Sequence, residues 1–188
     1  MSIINVVGAK IWGGGEQYVY DICKQLQQRH RTAYILVDQS NEDMQSRYAQ
    51  VGHVMTANLY TLKGFLSVNA VAKQMKAQGI NTIVCHSGKY ILFCIALKQL
   101  TGAKLVFIKH NLVPGKTDIY HRWINAQVDA FVCVSKLVYD DLMTPVIKDT
   151  SKYHVVYNGI DPNRFQSFSD AVPMKYKVRT FGYSARIT

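Results

Sequence analysis

The sequence predicts an α/β fold, a parallel sheet with helices on both faces, and three observations carry that prediction. Short apolar, β-branched runs alternate with amphipathic helical stretches, the order expected of parallel strands joined by crossover helices. The runs are apolar almost throughout, as in Ile3–Val7 and Thr82–Cys85, which is the pattern of strands covered on both faces. Glycines and N-cap residues stand where the helical stretches begin and end, so the elements separate cleanly.

The elements follow in order. The strand 3–7 runs into a glycine-rich turn and a helix over 16–28, in which Val19, Ile22, Cys23 and Leu26 share a face at i, i+3, i+4, i+7. A strand over 33–37 ends beside Asp38. Asn41, followed by Glu42 and Asp43, reads as an N-cap with acidic residues in the first turn. A weak strand near 53–56 precedes a helix over 62–77, closed by Gly79. Next come a strand over 82–85, Ser87 as a cap, and a largely buried helix over 90–100 that Gly102 ends. A strand over 105–108, a loop over 110–117 with Pro114-Gly115, a helix over 118–126 and a strand over 130–134 follow. Ser135 then caps a helix to Met143, which Pro145 stops.

The last strand of this unit spans 153–157, and Asn158-Gly159-Ile160-Asp161-Pro162 forms a turn. Residues 166–177 read as a linker. Residues 178–183 begin a new strand with almost no chain left to pair with it, and a lone strand is not a domain. The expected organisation is a Rossmann-like domain over 1–165, a linker over 166–177 and the start of a second domain over 178–188.

Composition narrows the class. With 48% hydrophobic and 18% charged residues and a mean hydropathy of -0.04, the 188-residue chain is a soluble globular one. The N-terminus has no basic region ahead of an apolar stretch, and no apolar run is long enough to span a bilayer, so a cytoplasmic chain is expected. Cys23, Cys85, Cys94 and Cys133 each sit in an apolar stretch without Cys-x-x-Cys spacing, and they read as small core residues. The net charge of +10 favours anionic partners such as phosphates or an anionic membrane surface. There is no arginine-rich arm and no RNA-binding signature, so nucleic acid is not expected.

In open parallel sheets ligands bind at the carboxyl ends of strands. Here those ends carry Gly13-Gly14-Gly15, His86-Ser87, His110-Asn111, Ser135 and Asn158-Gly159. Gly8 and Gly13 have P-loop spacing, but Gly14-Gly15 stands where Lys-Ser/Thr is required, so nucleotide hydrolysis is excluded. The dinucleotide fingerprint also fails, because Tyr18 occupies its third glycine position. Two readings remain for the glycines: a bare helix N-terminus open to a phosphate or sugar, or a turn that needs positive φ. His86 and His110 each read as a structural or a catalytic histidine. Ser135 reads as an N-cap, and Asp38 as a ribose ligand or a turn residue.

Taken together, these segments resemble glycosyltransferase family four, whose members have two Rossmann-like domains facing each other across a cleft (the GT-B arrangement). Gly13-Gly14-Gly15-Glu16-Gln17-Tyr18-Val19 is similar to the family's first loop, and 129–136 to the stretch that ends in Val-Ser. Val155–Phe165, with Asn158-Gly159-Ile160-Asp161, resembles the family's Asn-Gly-Ile/Val-Asp-x-x-x-Phe segment. Residues 181–188 resemble the first strand of the donor-binding domain, with Ala185 replacing a usual glycine.

The resemblance implies the N-terminal half of a retaining glycosyltransferase of the hexosyltransferase type. Such an enzyme uses a nucleotide-diphospho-sugar donor, normally without a bound metal or other cofactor. A glycan or lipid-linked acceptor, in cell-surface polysaccharide or glycolipid synthesis, and peripheral contact with the inner membrane face fit the positive charge. It implies that Gly14 and Gly15 approach the donor phosphates, that His110 lies near the transferred sugar or the acceptor hydroxyl, that Asn158 and Gly159 shape the crevice, and that Arg186 meets the donor diphosphate. The family's remaining donor-binding residues would lie beyond Thr188, so the 188-residue chain alone is expected to be inactive. The competing reading is a non-catalytic α/β module that holds a phosphate or glycan ligand.

Overall fold

The computed structural model describes residues 2–59, 64–143 and 150–159, with 64–66 as backbone only. Its strands are β1 (Ile3–Val7), β2 (Ala33–Asp38), β3 (His53–Ala57), β4 (Thr82–Cys85), β5 (Lys104–Lys109), β6 (Ala130–Cys133) and β7 (Tyr153–Val155). Its helices are α1 (Gly14–Gln28), α2 (Glu42–Tyr48), α3 (Gly64–Ala77), α4 (Ile91–Thr101), α5 (Ile119–Gln127) and α6 (Lys136–Met143). The strands form one sheet in the order β3-β2-β1-β4-β5-β6-β7, and every neighbouring pair is parallel. The predicted α/β fold is the one observed.

The chain divides at Asn158 into a unit of residues 1–158 and a short one of residues 159–188. Pro145, the linker over 166–177, the strand over 178–183 and Arg186 lie outside the described residues, as does everything in the second unit except Gly159.

Alternation along the strands divides the core between the two faces. Ile4 and Val6 join the larger apolar cluster, with Met75 of α3, Leu97 of α4 and Leu105 of β5. Val7 points to the other face, where Val19 and Cys23 of α1 and Met44 and Tyr48 of α2 cover Ile35 and Val37. Each large apolar side chain so buried contributes about 1.5–3 kcal/mol relative to exposure. All four cysteines are buried and form no disulfide. Among the described residues no group of histidine, cysteine and carboxylate side chains could hold a metal ion. No described helix is long and apolar enough to cross a membrane.

The caps follow local chemistry. Asn41 accepts from the Met44 amide, Asp118 from the His121 amide and Ser135 from the Val138 amide. Gly79 and Gly102 take φ of 63° and 72°, the left-handed values that end α3 and α4 at little steric cost. Ser87 caps a short 3-10 turn, Gly88–Tyr90, ahead of α4. Helix α1 starts at Gly14, earlier than the 16–28 expected, because Gly13 is extended (φ -148°) and serves as the N-cap without a side-chain bond.

Candidate functional site

The strand order reverses between β1 and β4: β1 leads to β2 on one side, and β4 leads to β5 on the other. Crevices at such points are where open parallel sheets hold ligands. The residues gathered there are Asn5 of β1, Tyr18 of α1, His86 just after β4 and His110 just after β5.

Asn5 is the anomaly that organises the site. It sits in the middle of an apolar strand with only 3% of its surface exposed. A buried amide without partners costs on the order of 1–3 kcal/mol, so its hydrogen bonds are accounted for within the fold. Its Oδ1 lies 3.1 Å from Nε2 of His86, and its Nδ2 lies 3.8 Å from Sγ of Cys23. His86 in turn places Nδ1 3.1 Å from Nε2 of His110. The result is a line of polar groups, Asn5 to His86 to His110, running from inside the sheet to its carboxyl edge.

Tyr18 closes this line against α1. Its ring stands edge-on to His110 with centroids 5.1 Å apart and to His86 at 6.2 Å. Burial pushes the His86 imidazole down to about 3, and the neighbouring His110 adds to the shift. Burial also lowers His110 from its usual value. Both rings are therefore neutral near pH 7, joined by a single N–H···N bond. Among the described residues Nδ1 of His110 has no hydrogen-bond partner.

The glycine turn is held from both sides. Asn41 donates from Nδ2 to the Ala9 carbonyl at 3.0 Å. Trp12 donates to Gln17 at 3.2 Å and packs between Tyr48 and the Arg47 guanidinium. Gly14 and Gly15 then open α1. Neither has a positive φ, and a Cβ added to either meets no atom within 4 Å. The requirement for positive φ, one of the two readings of this turn, is thus absent. Nothing within the described residues demands glycine there, so what the glycines leave open is approach from outside.

A cavity of about 370 Å³ lies between the 3-10 turn and α5, and neither His86 nor His110 is among its lining residues. Ser87 and Lys109, the neighbours of His86 and His110, both line it. Phe107, Phe131 and Ile124 form apolar walls, and Lys89 and Lys116 join Lys109 as cations. No acidic side chain lines it among the described residues.

Two sequence candidates have structural duties. Asp38 is 5% exposed, and its carboxylate accepts from the Ser40 amide at 3.0 Å and the Leu59 amide at 2.9 Å. Those bonds hold its pKa down against the effect of burial and engage both carboxylate oxygens within the fold. Ser135 is the cap of α6. Asn158 and Gly159 follow β7 and are exposed.

The pattern of residues 12–164 matches that of Glycosyltransferase Family 4. The chain belongs to this family. No curated protein matches it. Solved structures similar to it include a glycosyltransferase from Rickettsia africae, with a TM-score of 0.74 and 18% identity over 88% of this chain and 46% of that one. HepE from Anabaena in complex with UDP-glucose has a TM-score of 0.69 and 18% identity over 90% of this chain and 47% of its own. MurG from Acinetobacter baumannii has a TM-score of 0.60 and 12% identity over 89% and 50%. At these identities the likeness shows the fold, the one shared by these transferases. The chain spans about half the length of the structures it matches.

Proposed function

We propose that this family 4 chain supplies the acceptor side of a retaining glycosyltransferase of the hexosyltransferase type. The enzyme moves a sugar from a nucleotide-diphospho-sugar onto a glycan or lipid-linked acceptor in cell-surface polysaccharide or glycolipid synthesis, at the cytoplasmic face of a membrane. The donor class is supported by HepE, which holds UDP-glucose in its complex. Gly14 and Gly15 are read as admitting the donor phosphates, Asn158 and Gly159 as shaping the crevice, and Arg186 as meeting the diphosphate.

The observation that carries the reading is His110: a neutral imidazole with an unpartnered Nδ1 at the carboxyl edge of the sheet, near the point where strand order reverses. A neutral ring can accept a proton or a hydrogen bond from a sugar hydroxyl, whereas a charged one only donates. The cavity suits an acceptor with both an apolar part and a phosphate, because lysines reward the anion and the aromatic walls reward the hydrocarbon. A lipid-linked phosphate has both.

The test is transfer from UDP-sugars by the complete gene product, with glycan and polyprenyl-phosphate acceptors and products read by mass spectrometry. Turnover is expected. Binding of the donor without turnover on any acceptor would favour the non-catalytic module instead.

A further inference from the structure

The line from Asn5 to His110 has a direction. We propose that Asn5 sets it: Oδ1 of Asn5 holds the proton of His86 on Nε2, which fixes His110 with its proton on Nε2 and a lone pair at Nδ1. Asn5 and His86 are then positioning residues, acting on the reacting groups through His110.

The argument is one of proton counting. An amide oxygen only accepts, so the His86 nitrogen 3.1 Å from it carries the proton. A neutral imidazole has a single N–H, so Nδ1 of His86 is a lone pair. The bond at 3.1 Å between this Nδ1 and Nε2 of His110 must contain one proton, and that proton therefore belongs to His110. The remaining nitrogen of His110, Nδ1, is left as an acceptor. Burial keeps His86 neutral and so keeps the count at one proton per ring.

The reverse order would turn the Asn5 amide so that Nδ2 donates to His86, and each later proton would shift to the opposite nitrogen. That order places both rings in the Nδ1–H form, which free histidine disfavours. The proposed order uses the favoured tautomer of both rings.

The tautomer stands independently of any activity. Its consequence for catalysis rests on the proposed function, in which Nδ1 of His110 meets a sugar or acceptor hydroxyl.

The experiment is nitrogen-15 NMR of the chain labelled at its histidine rings. The wild-type chain should show His110 protonated on Nε2, with a scalar coupling across the hydrogen bond to Nδ1 of His86. In Asn5→Asp the carboxylate should hold His86 doubly protonated; its Nδ1–H then donates, and the proton of His110 moves to Nδ1. A wild-type His110 protonated on Nδ1, or an Asn5→Asp variant that leaves the proton on Nε2, overturns the proposal.

If the amide spectrum shows Asn5→Asp unfolded, Asn5→Leu takes its place. It should average the two nitrogens of each ring, and an unchanged His110 would again overturn the assignment. In the complete gene product, Asn5→Asp should lower kcat on the order of 10²-fold with little change in KM, since only the sense of one hydrogen bond is reversed. Inversion of the tautomer with kcat retained supports the assignment made here and refutes the role given to His110 under the proposed function.

Discussion

Nδ1 of His86 and Nε2 of His110 stand 3.1 Å apart, so two imidazoles from the ends of adjacent strands share one proton in a setting that excludes charge from both. This fixes a pH dependence of stability. In the unfolded chain His86 titrates near 6.5, while in the folded chain it is held down to about 3. Below pH 6.5 the unfolded state binds a proton that the folded state refuses. Stability from His86 is therefore fully present above pH 6.5 and is lost as pH falls toward 3. Between pH 6.5 and about 4.5 carboxylates add little, since their unfolded values lie near 4. Urea unfolding over this interval should show a falling midpoint for the wild-type chain and a shallower fall for His86→Leu. Equal slopes would mean that His86 is not buried neutral.

Glycines at two places in this fold serve opposite purposes, and alanine separates them. A Cβ at Gly52 would lie 2.5 Å from Cδ1 of Ile35 and 2.7 Å from the Ala33 carbonyl oxygen. The clash includes backbone of β2, so Gly52→Ala should cost about 1–3 kcal/mol of stability. Gly14→Ala and Gly15→Ala meet nothing and replace glycine in the first turn of a helix, which should raise stability by up to about 0.5 kcal/mol. If the donor phosphates approach there, the same variants should raise KM for the nucleotide sugar. Thermal midpoints and donor KM measured together decide it. A Gly14→Ala enzyme that is more stable with donor KM unchanged would remove these glycines from the site.

Much of this fold is legible in the sequence, because strands buried on both faces and capped helices leave local signatures. All seven strands and the helices joining them follow from periodicity and capping, with ends displaced by a residue or two where a cap such as Gly13 makes no side-chain bond. The site is legible only in parts. His110 and His86 are visible as strand-end histidines, but their contact depends on β4 and β5 being neighbours, which periodicity does not state. For that reason His86 joins His110 in one polar line rather than standing as an independent histidine. Asn5 carried a local signal, an amide inside an apolar run, whose meaning needed the partner 3.1 Å away. Tyr18 lies off the apolar stripe of α1 and left no such signal. Asp38 misleads in the other direction, since a carboxylate at a strand end suits a ribose until the Ser40 and Leu59 amides are seen to occupy it.

The cavity between the 3-10 turn and α5 predicts a preference for amphiphilic anions. With Lys89 and Lys116 on its wall, the chain should bind dodecyl phosphate more tightly than dodecyl glucoside. The double variant Lys89→Gln/Lys116→Gln should reduce that preference about 30-fold, at about 1 kcal/mol per well-placed cation. Chemical-shift titration of both ligands measures it, and perturbed amides should include Lys109 and Ile124. Equal affinity for the two ligands, or unchanged affinity in the double variant, would rule out the cavity as the seat of a phosphate.

His110→Ala gives the most direct reading of the site. Removing the imidazole deletes the acceptor at Nδ1 and should lower kcat/KM of the complete gene product on the order of 10²-fold. It also strips Nδ1 of His86 of its donor. A half-buried acceptor left unmade costs on the order of 1–2 kcal/mol unless water enters the space, so a measurable fall in thermal midpoint is expected together with a retained fold. His86→Ala cannot serve as the control, because it breaks the same bond from the other side. His154, exposed on β7, is a suitable one, and His154→Ala should change neither quantity. His110→Gln separates the two effects, since its amide can donate to His86 and restore stability without an imidazole base at the crevice. The expected order is therefore full stability with low activity for His110→Gln, and reduced stability with low activity for His110→Ala. If His110→Gln recovers both, His110 only supports His86 and the reacting group lies elsewhere.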